Sequence, residues 1–180
     1  MQIRERGTPG ASPGFDDPLG LLAACHDRIM AHCATLVRLE NHVRVRGFDA
    51  EACIASERVI QYFAEAGRWH HEDEERDLVP LLKLHADEAL SSLLVRLMAE
   101  HRTLEAAYAP LHEALVARDL RLTAEPYVSL MRAHVAAENV EVLPVARVLL
   151  APEEVAQLGA AMASRRGVRQ GARGRLRDGG

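Results

Sequence analysis

Four histidines in this 180-residue chain sit where a helical period asks for apolar side chains. His26, His70, His101 and His134 each fall on the inward stripe of a different predicted helix. One inward histidine alone is ordinarily a satisfied core residue. Four around one axis are harder to dismiss, because a buried imidazole without a partner costs about 1–3 kcal/mol. Two of the four bring a carboxylate with them. His70-x-x-x-Glu74 and His134-x-x-x-Glu138 place both groups on one helix face, one turn apart. A proline follows each pair at the same distance, Pro80 and Pro144, so both segments read H-x3-E-x5-P. Each segment also follows a helix with one inward histidine, His26 or His101. The chain reads as two helical hairpins with the same ligand plan, which face each other across a pseudo-twofold site.

A second register competes. His71-x-x-x-Glu75 has the same spacing but lies about 100° around the helix and lacks the matching distance to proline. The 70/74 register is therefore favoured, with Asp73 and Glu75 left as hydrogen-bond acceptors behind the ligands. Four imidazoles and two carboxylates are too many for a structural zinc, which takes about four ligands. The set suits two metal ions sharing two bridging glutamates, each ion with two nitrogens and two oxygens from protein. Mixed imidazole and carboxylate ligands without thiolate suit iron or manganese. An octahedral ion keeps positions for an oxo or hydroxo bridge and for a small ligand such as O2, NO or peroxide.

The neighbours of these residues are weighed the same way. Glu105, one turn after His101, is a further candidate ligand, although a hydrogen bond to a ligand is its favoured role. Tyr108 and Tyr127 read as core filling that could also reach a metal-bound group. His112 shares the His101 face but is three turns away, too far to join. His32, His42 and His85 read as surface or bundle-end residues. Cys33 reads as a small buried hydrophobe, Cys25 as facing away from the His26 stripe, and Trp69 as packing beside the His70 turn.

These side chains need helices to position them. Hydrophobic residues make up 48% of the chain and aromatics only 4%, with Ala, Leu, Val, Arg and Glu dominant, which favours helix. The first helix carries Leu22, His26, Ile29, Cys33, Leu36 and Val43 on one face and should end at Gly47, with Asp49 capping the next. The second spans about Ala50 to His85, with Val59, Phe63, His70, Glu74, Leu78 and Leu81 inward and Pro80 as a kink. Asp87 should cap the third, whose stripe runs Leu90, Leu94, Leu97, His101, Leu104, Tyr108, Leu111 and Leu115. The fourth starts near Pro126 and carries Tyr127, Leu130, His134, Glu138, Glu141, Val145 and Val148. The fold class expected is all-α: an up-down-up-down four-helix bundle over 19–150, preceded by a disordered segment, 1–18. A short fifth helix over 151–166 should pack outside or trail away, followed by a disordered Arg/Gly-rich tail, 167–180.

Charge narrows the partners. Six of the 22 basic residues and one of the 26 acidic ones lie in 165–180. The rest then holds 16 basic and 25 acidic side chains, a net of −9, so the main body repels nucleic acid. The arginine-rich tail is the candidate docking element for a protein partner, although its Gly-rich, unpatterned sequence more often marks a solvated end. The N-terminus MQIRERGTPGASPGF has no apolar h-region, and no run approaches the ~18 apolar residues of a membrane span. Cys25, Cys33 and Cys53 form no C-x-x-C pair and read as reduced thiols. The expected location is the cytoplasm.

The ordered set His26, His70-x-x-x-Glu74, His101 and His134-x-x-x-Glu138 resembles the hemerythrin-like (HHE) cation-binding domain. The segments HHEDEERDLVP, AEHRTLEAAY and HVAAENVEVLP resemble its signatures, and the resemblance covers roughly residues 19–150. It implies a non-haem di-iron centre with those six residues as ligands. The chain departs from the oxygen carriers of that family, which have a histidine where this chain has Glu105 and end with H-x4-D where this chain has His134-x-x-x-Glu138. The four-His, two-Glu set is similar to bacterial di-iron proteins of oxidative and nitrosative stress and iron-sulfur cluster repair. The resemblance thus implies that the protein binds or reduces O2, NO or peroxide and does not carry O2 reversibly. The alternative is a non-catalytic sensor of O2, NO or iron, or an iron store, acting through a partner.

Overall fold

The computed structural model describes residues 13–168. Among them there is no strand. Four long helices and a shorter fifth account for nearly all of the described chain, as the amphipathic periods predict. Helix α1 is Pro18–Arg46. Helix α2 spans 50–83, α3 is Glu88–Ala117 and α4 spans 125–149. Helix α5 is Pro152–Arg165. Short connections make α1 to α4 antiparallel neighbours in sequence, and α1 and α3 each pack against both α2 and α4.

The starts of the helices are written in the sequence. Asp17, Asp49 and Asp87 each stand at an N-cap, where a side-chain oxygen accepts a backbone N–H of the first turn at 2.8–3.0 Å. Glu40, from α1, accepts the Ala124 N–H at 2.8 Å and secures the start of α4, which has no side-chain cap of its own. Gly47 ends α1 at φ +75°, a backbone region that disfavours any side chain.

Helices α2 and α4 are not uniform. Helix α2 contains two π turns, Phe63–Gly67 and Glu74–Leu78, and α4 contains one, Glu138–Val142. The last two begin at the glutamates of the repeated motif. In each, the residue before the proline donates its N–H five residues back, Val79 to Glu74 and Leu143 to Glu138. The proline that follows has no N–H for the α-helical bond and its ring crowds the carbonyl four residues earlier. A wider turn relieves that crowding, which accounts for the common H-x3-E-x5-P spacing.

The π turn corrects the expected inner stripe of α4. Leu130, Glu141 and Val148 were expected inward and are exposed. Met131, Val142, Leu143, Ala146 and Leu150 are buried instead. An extra residue in the turn after Glu138 rotates everything beyond it, which a straight 3.6-residue period does not anticipate. Leu130 and Met131 precede that turn, and there the stripe simply runs through Tyr127, Met131 and His134, one residue from the expected position.

Helix α5 does not trail away. It packs on α1 and on the middle of α2. Gly159 permits this, because a Cβ there would collide with the Phe15 carbonyl. Arg165 and Arg166, read from sequence as part of a solvated tail, both pair with Asp73 of α2, which is fully buried. Arg165 also pairs with Asp77, and the Arg166 guanidinium lies over the Trp69 ring, 5.5 Å from its centroid. The other four tail arginines (169, 173, 175 and 177) and most of both expected disordered ends lie outside the described residues.

Candidate metal centre

The apolar core comes in two parts. One contains Ile29, Leu104, Tyr127 and Met131, and the other contains Leu22, Leu78, Leu97 and Val142. Between them lies a polar layer. His26, His70, Glu74, His101, His134 and Glu138 all reach it, and none is more than 3% exposed. These are the six residues singled out by spacing, one histidine from each of α1 to α4 and one glutamate each from α2 and α4.

Their distances define the layer. Glu74 Oε1 lies 3.3 Å from His70 Nε2 and 3.7 Å from His26 Nε2, while its Oε2 lies 3.4 Å from His101 Nε2. Glu138 Oε2 lies 3.1 Å from His26 Nε2, and its Oε1 lies 3.2 Å from His134 Nε2 and 3.9 Å from His101 Nε2. Each carboxylate thus turns one oxygen toward the pair His26 and His70 and the other toward His101 and His134. Two four-residue groups result that share both glutamates, with the candidate ligand atoms of each group within 4.8 Å of one another. The first hairpin supplies the histidines of one group and the second hairpin those of the other.

Residues behind the histidines fix their orientation. His26 Nδ1 donates to Asn139 Oδ1 at 2.7 Å, His101 Nδ1 to Glu75 Oε1 at 2.8 Å and His134 Nδ1 to Glu100 Oε2 at 3.0 Å. An amide or carboxylate oxygen only accepts, so each ring carries its proton on Nδ1 in that bond and turns Nε2 to the centre. Asn139 and Glu75 are the residues directly after Glu138 and Glu74. Each braces a histidine of the opposite hairpin, so the pseudo-symmetry extends past the six residues. Glu75 was expected as such an acceptor. Asp73 also was, but it faces Arg165 and Arg166 instead. Asn139 and Glu100 were missed, and the signal available was that one follows a motif glutamate and the other precedes His101.

Other candidates stay outside. Glu105 is exposed and absent from both groups. Tyr127 is core and Tyr108 partly so. His112 packs against Tyr108, His42 bonds Asp49 and His85 bonds Glu154. His32 is partly buried and stacks on Tyr62 at 3.9 Å. Cys25 and Cys33 are buried, and burial pushes the Cys33 thiol up to about 12, which leaves it unreactive.

The layer is electrostatically tense as protein alone. Burial pushes the His26 and His101 imidazoles down, but the neighbouring glutamates outweigh it and hold them at about 10 and about 9. Burial also dominates at His70 and keeps its ring neutral. Both glutamates are held below the usual carboxylate range, since the imidazoles around them outweigh burial. Several buried polar atoms have no hydrogen-bond partner among the described residues: both His70 nitrogens, His26 Nε2, Glu74 Oε2 and Glu138 Oε2. The His26 and Glu138 atoms are close but misaligned for a hydrogen bond. Orphaned atoms of this kind are costly, and all of these except His70 Nδ1 face the polar layer. A nitrogen-oxygen donor set with lone pairs aimed inward fits a metal of the iron or manganese type.

Comparison with known proteins agrees. The model of the hemerythrin HHE cation-binding domain matches residues 17–146, and the chain belongs to that family. A protein of Haemophilus influenzae described as uncharacterized is 30% identical over 93 residues, which is 52% of each chain. The chain spans about half the length of that curated relative. No helix among the described residues is long and apolar enough to cross a membrane.

Proposed function

We propose that the layer holds two iron ions and that the protein uses them to bind or reduce a small oxidant or NO in the cytoplasm. His26 and His70 would hold one ion, His101 and His134 the other, with Glu74 and Glu138 bridging. The observation that carries this reading is the division of each carboxylate between the two histidine pairs. A single ion would leave two imidazoles and two oxygens buried and unused. Manganese fits the same donors, and iron is favoured by the family. Bound there, a pair of irons supplies electron exchange with O2, NO or peroxide.

The chain's own residues set the conditions for that exchange. Two neutral nitrogens and two anionic oxygens per ion favour the higher oxidation state. The two apolar core regions keep bulk water from the layer. Asn139, Glu75 and Glu100 hold three of the four imidazoles, those of His26, His101 and His134, so that little reorganisation is needed there. Glu105 is exposed, and among the described residues neither it nor His71 belongs to the two groups that share the glutamates, so the set differs from that of a carrier-type site. The protein reduced under nitrogen is expected to change spectrum on mixing with O2 or peroxide, and to stay changed when the gas is removed. It is also expected to bind NO when reduced. A species that returns to the starting spectrum under vacuum would instead indicate a reversible carrier.

One observation favours a second reading, a sensor or iron store. Arg165 and Arg166 tie α5 to Asp73, which stands between His70 and Glu74 in sequence. Metal occupancy could be relayed to α5, and from it to a protein partner of the arginine-rich end. Turnover of peroxide or NO by the purified chain separates the two, since a sensor or store shows none.

A further inference from the structure

A cavity of about 430 Å3 opens beside the polar layer, and none of the six candidate ligands lines it. Two residues separate it from the layer. His71 stacks on His101 with ring centroids 4.1 Å apart and planes 10° from parallel. Glu75 lines the same cavity and accepts from His101. The cavity walls are largely apolar, but its charged lining is three carboxylates, Glu72, Glu75 and Glu105, against one cation, Arg68. Glu72 is engaged by Arg68 and other arginines, whereas Glu105 is exposed and makes no ion pair among the described residues.

His71 is the unusual group here. It is half-buried, and neither of its nitrogens makes a hydrogen bond among the described residues. The buried Tyr108 hydroxyl, which lines the same cavity, also lacks a partner. Packing alone does not call for an imidazole at such a place. His71, His101 and His134 can bring one ring nitrogen each within 4.8 Å of one another. A cation held by His71 is therefore one ligand exchange from the second pair of the layer. The six inner residues have almost no exposure of their own, so a hydrated ion needs such a step to shed water on its way in.

We propose that His71 is the residue that admits metal: a divalent cation drawn to the cavity rim is taken up by His71 and passed to His101 and His134. The inference rests on the two-metal reading above. His71 belongs to neither shared-glutamate group, so its role is kinetic and the final occupancy does not depend on it.

The test uses the full chain stripped by a chelator and mixed with cobalt(II), whose visible absorption reports nitrogen and oxygen coordination. His71→Phe keeps a ring for stacking and removes the ligand atom. It is expected to load about tenfold more slowly, to the same final ratio of cobalt to protein. Release of bound cobalt to excess chelator should slow by a similar factor, because a relay lowers the barrier in both directions. Glu105→Gln, an exposed change that leaves folding intact, should also load more slowly and lose part of the ionic-strength dependence. Loading of His71→Phe at the wild-type rate overturns the proposal, and so does a lower final ratio, which would make His71 a permanent ligand. Should His71→Phe fail to fold, Glu105→Gln decides, and a wild-type rate with wild-type salt dependence overturns it. If the unsubstituted chain takes up no cobalt, or Glu74→Ala takes up as much as the unsubstituted chain, the two-metal reading itself fails.

Discussion

Glu74 and Glu75 are adjacent in sequence but have different surroundings. Glu74 is buried between both histidine pairs, whereas Glu75 reaches only the outer nitrogen of His101 and is half-exposed. Glu74→Ala is expected to remove one or both metals, counted by elemental analysis of the purified variant. Glu75→Ala and Asn139→Ala should keep both but bind them about 10- to 100-fold more weakly, because they lose only the hold on an imidazole. Loss of metal from Glu75→Ala with retention in Glu74→Ala would reverse these assignments. The six inward residues were legible because each breaks an apolar stripe at a helical interval. Glu100 and Asn139 were not, since a polar residue beside a stripe looks like any solvated one until the facing helix is in place.

Helices as units explain where sequence reading succeeded and where it slipped. Caps at Asp49 and Asp87 and the long stripe of α3 follow from local chemistry and are found as expected. The inner face of α4 beyond Glu138 was misplaced because a π turn has no signature in hydrophobic period, although Pro80 and Pro144 marked both motif turns. The pairing that fastens α5 was also hidden. Arginines beside a Gly-rich end look solvated, and only the fold shows the buried Asp73 that they serve. Replacing both Arg165 and Arg166 by alanine leaves that aspartate buried without its partners. Such a break costs about 3–5 kcal/mol, to be read from urea unfolding of the double variant. A loss well under 1 kcal/mol would show that α5 contributes little to holding the Asp73 turn.

For the whole molecule, the polar layer divides an otherwise apolar core, so its occupancy should govern stability. Metal that binds only the folded bundle stabilises it by mass action. Stripping the metal is therefore expected to lower the Tm, measured by circular dichroism, and an unchanged Tm would argue against a buried site. The stripped chain should also depend on pH in a definite direction. His26 and His101 are held at about 10 and about 9, above the usual imidazole value of 6.5, so their contribution is complete below 6.5 and is lost as pH rises toward 10. Glu74 and Glu138 are held low, so their contribution is present above the usual carboxylate value of 4.5 and is lost only in acid below it. The stripped chain should accordingly melt lower at pH 9.5 than at pH 6, and the opposite order would contradict these assignments. The central claim is the pair of metal ions, and its most direct test is metal analysis with an absorption spectrum of the protein as isolated. About two irons per chain with strong near-ultraviolet absorption is the result expected. A single zinc per chain, or a fully folded chain that neither contains nor takes up iron or manganese, would contradict it.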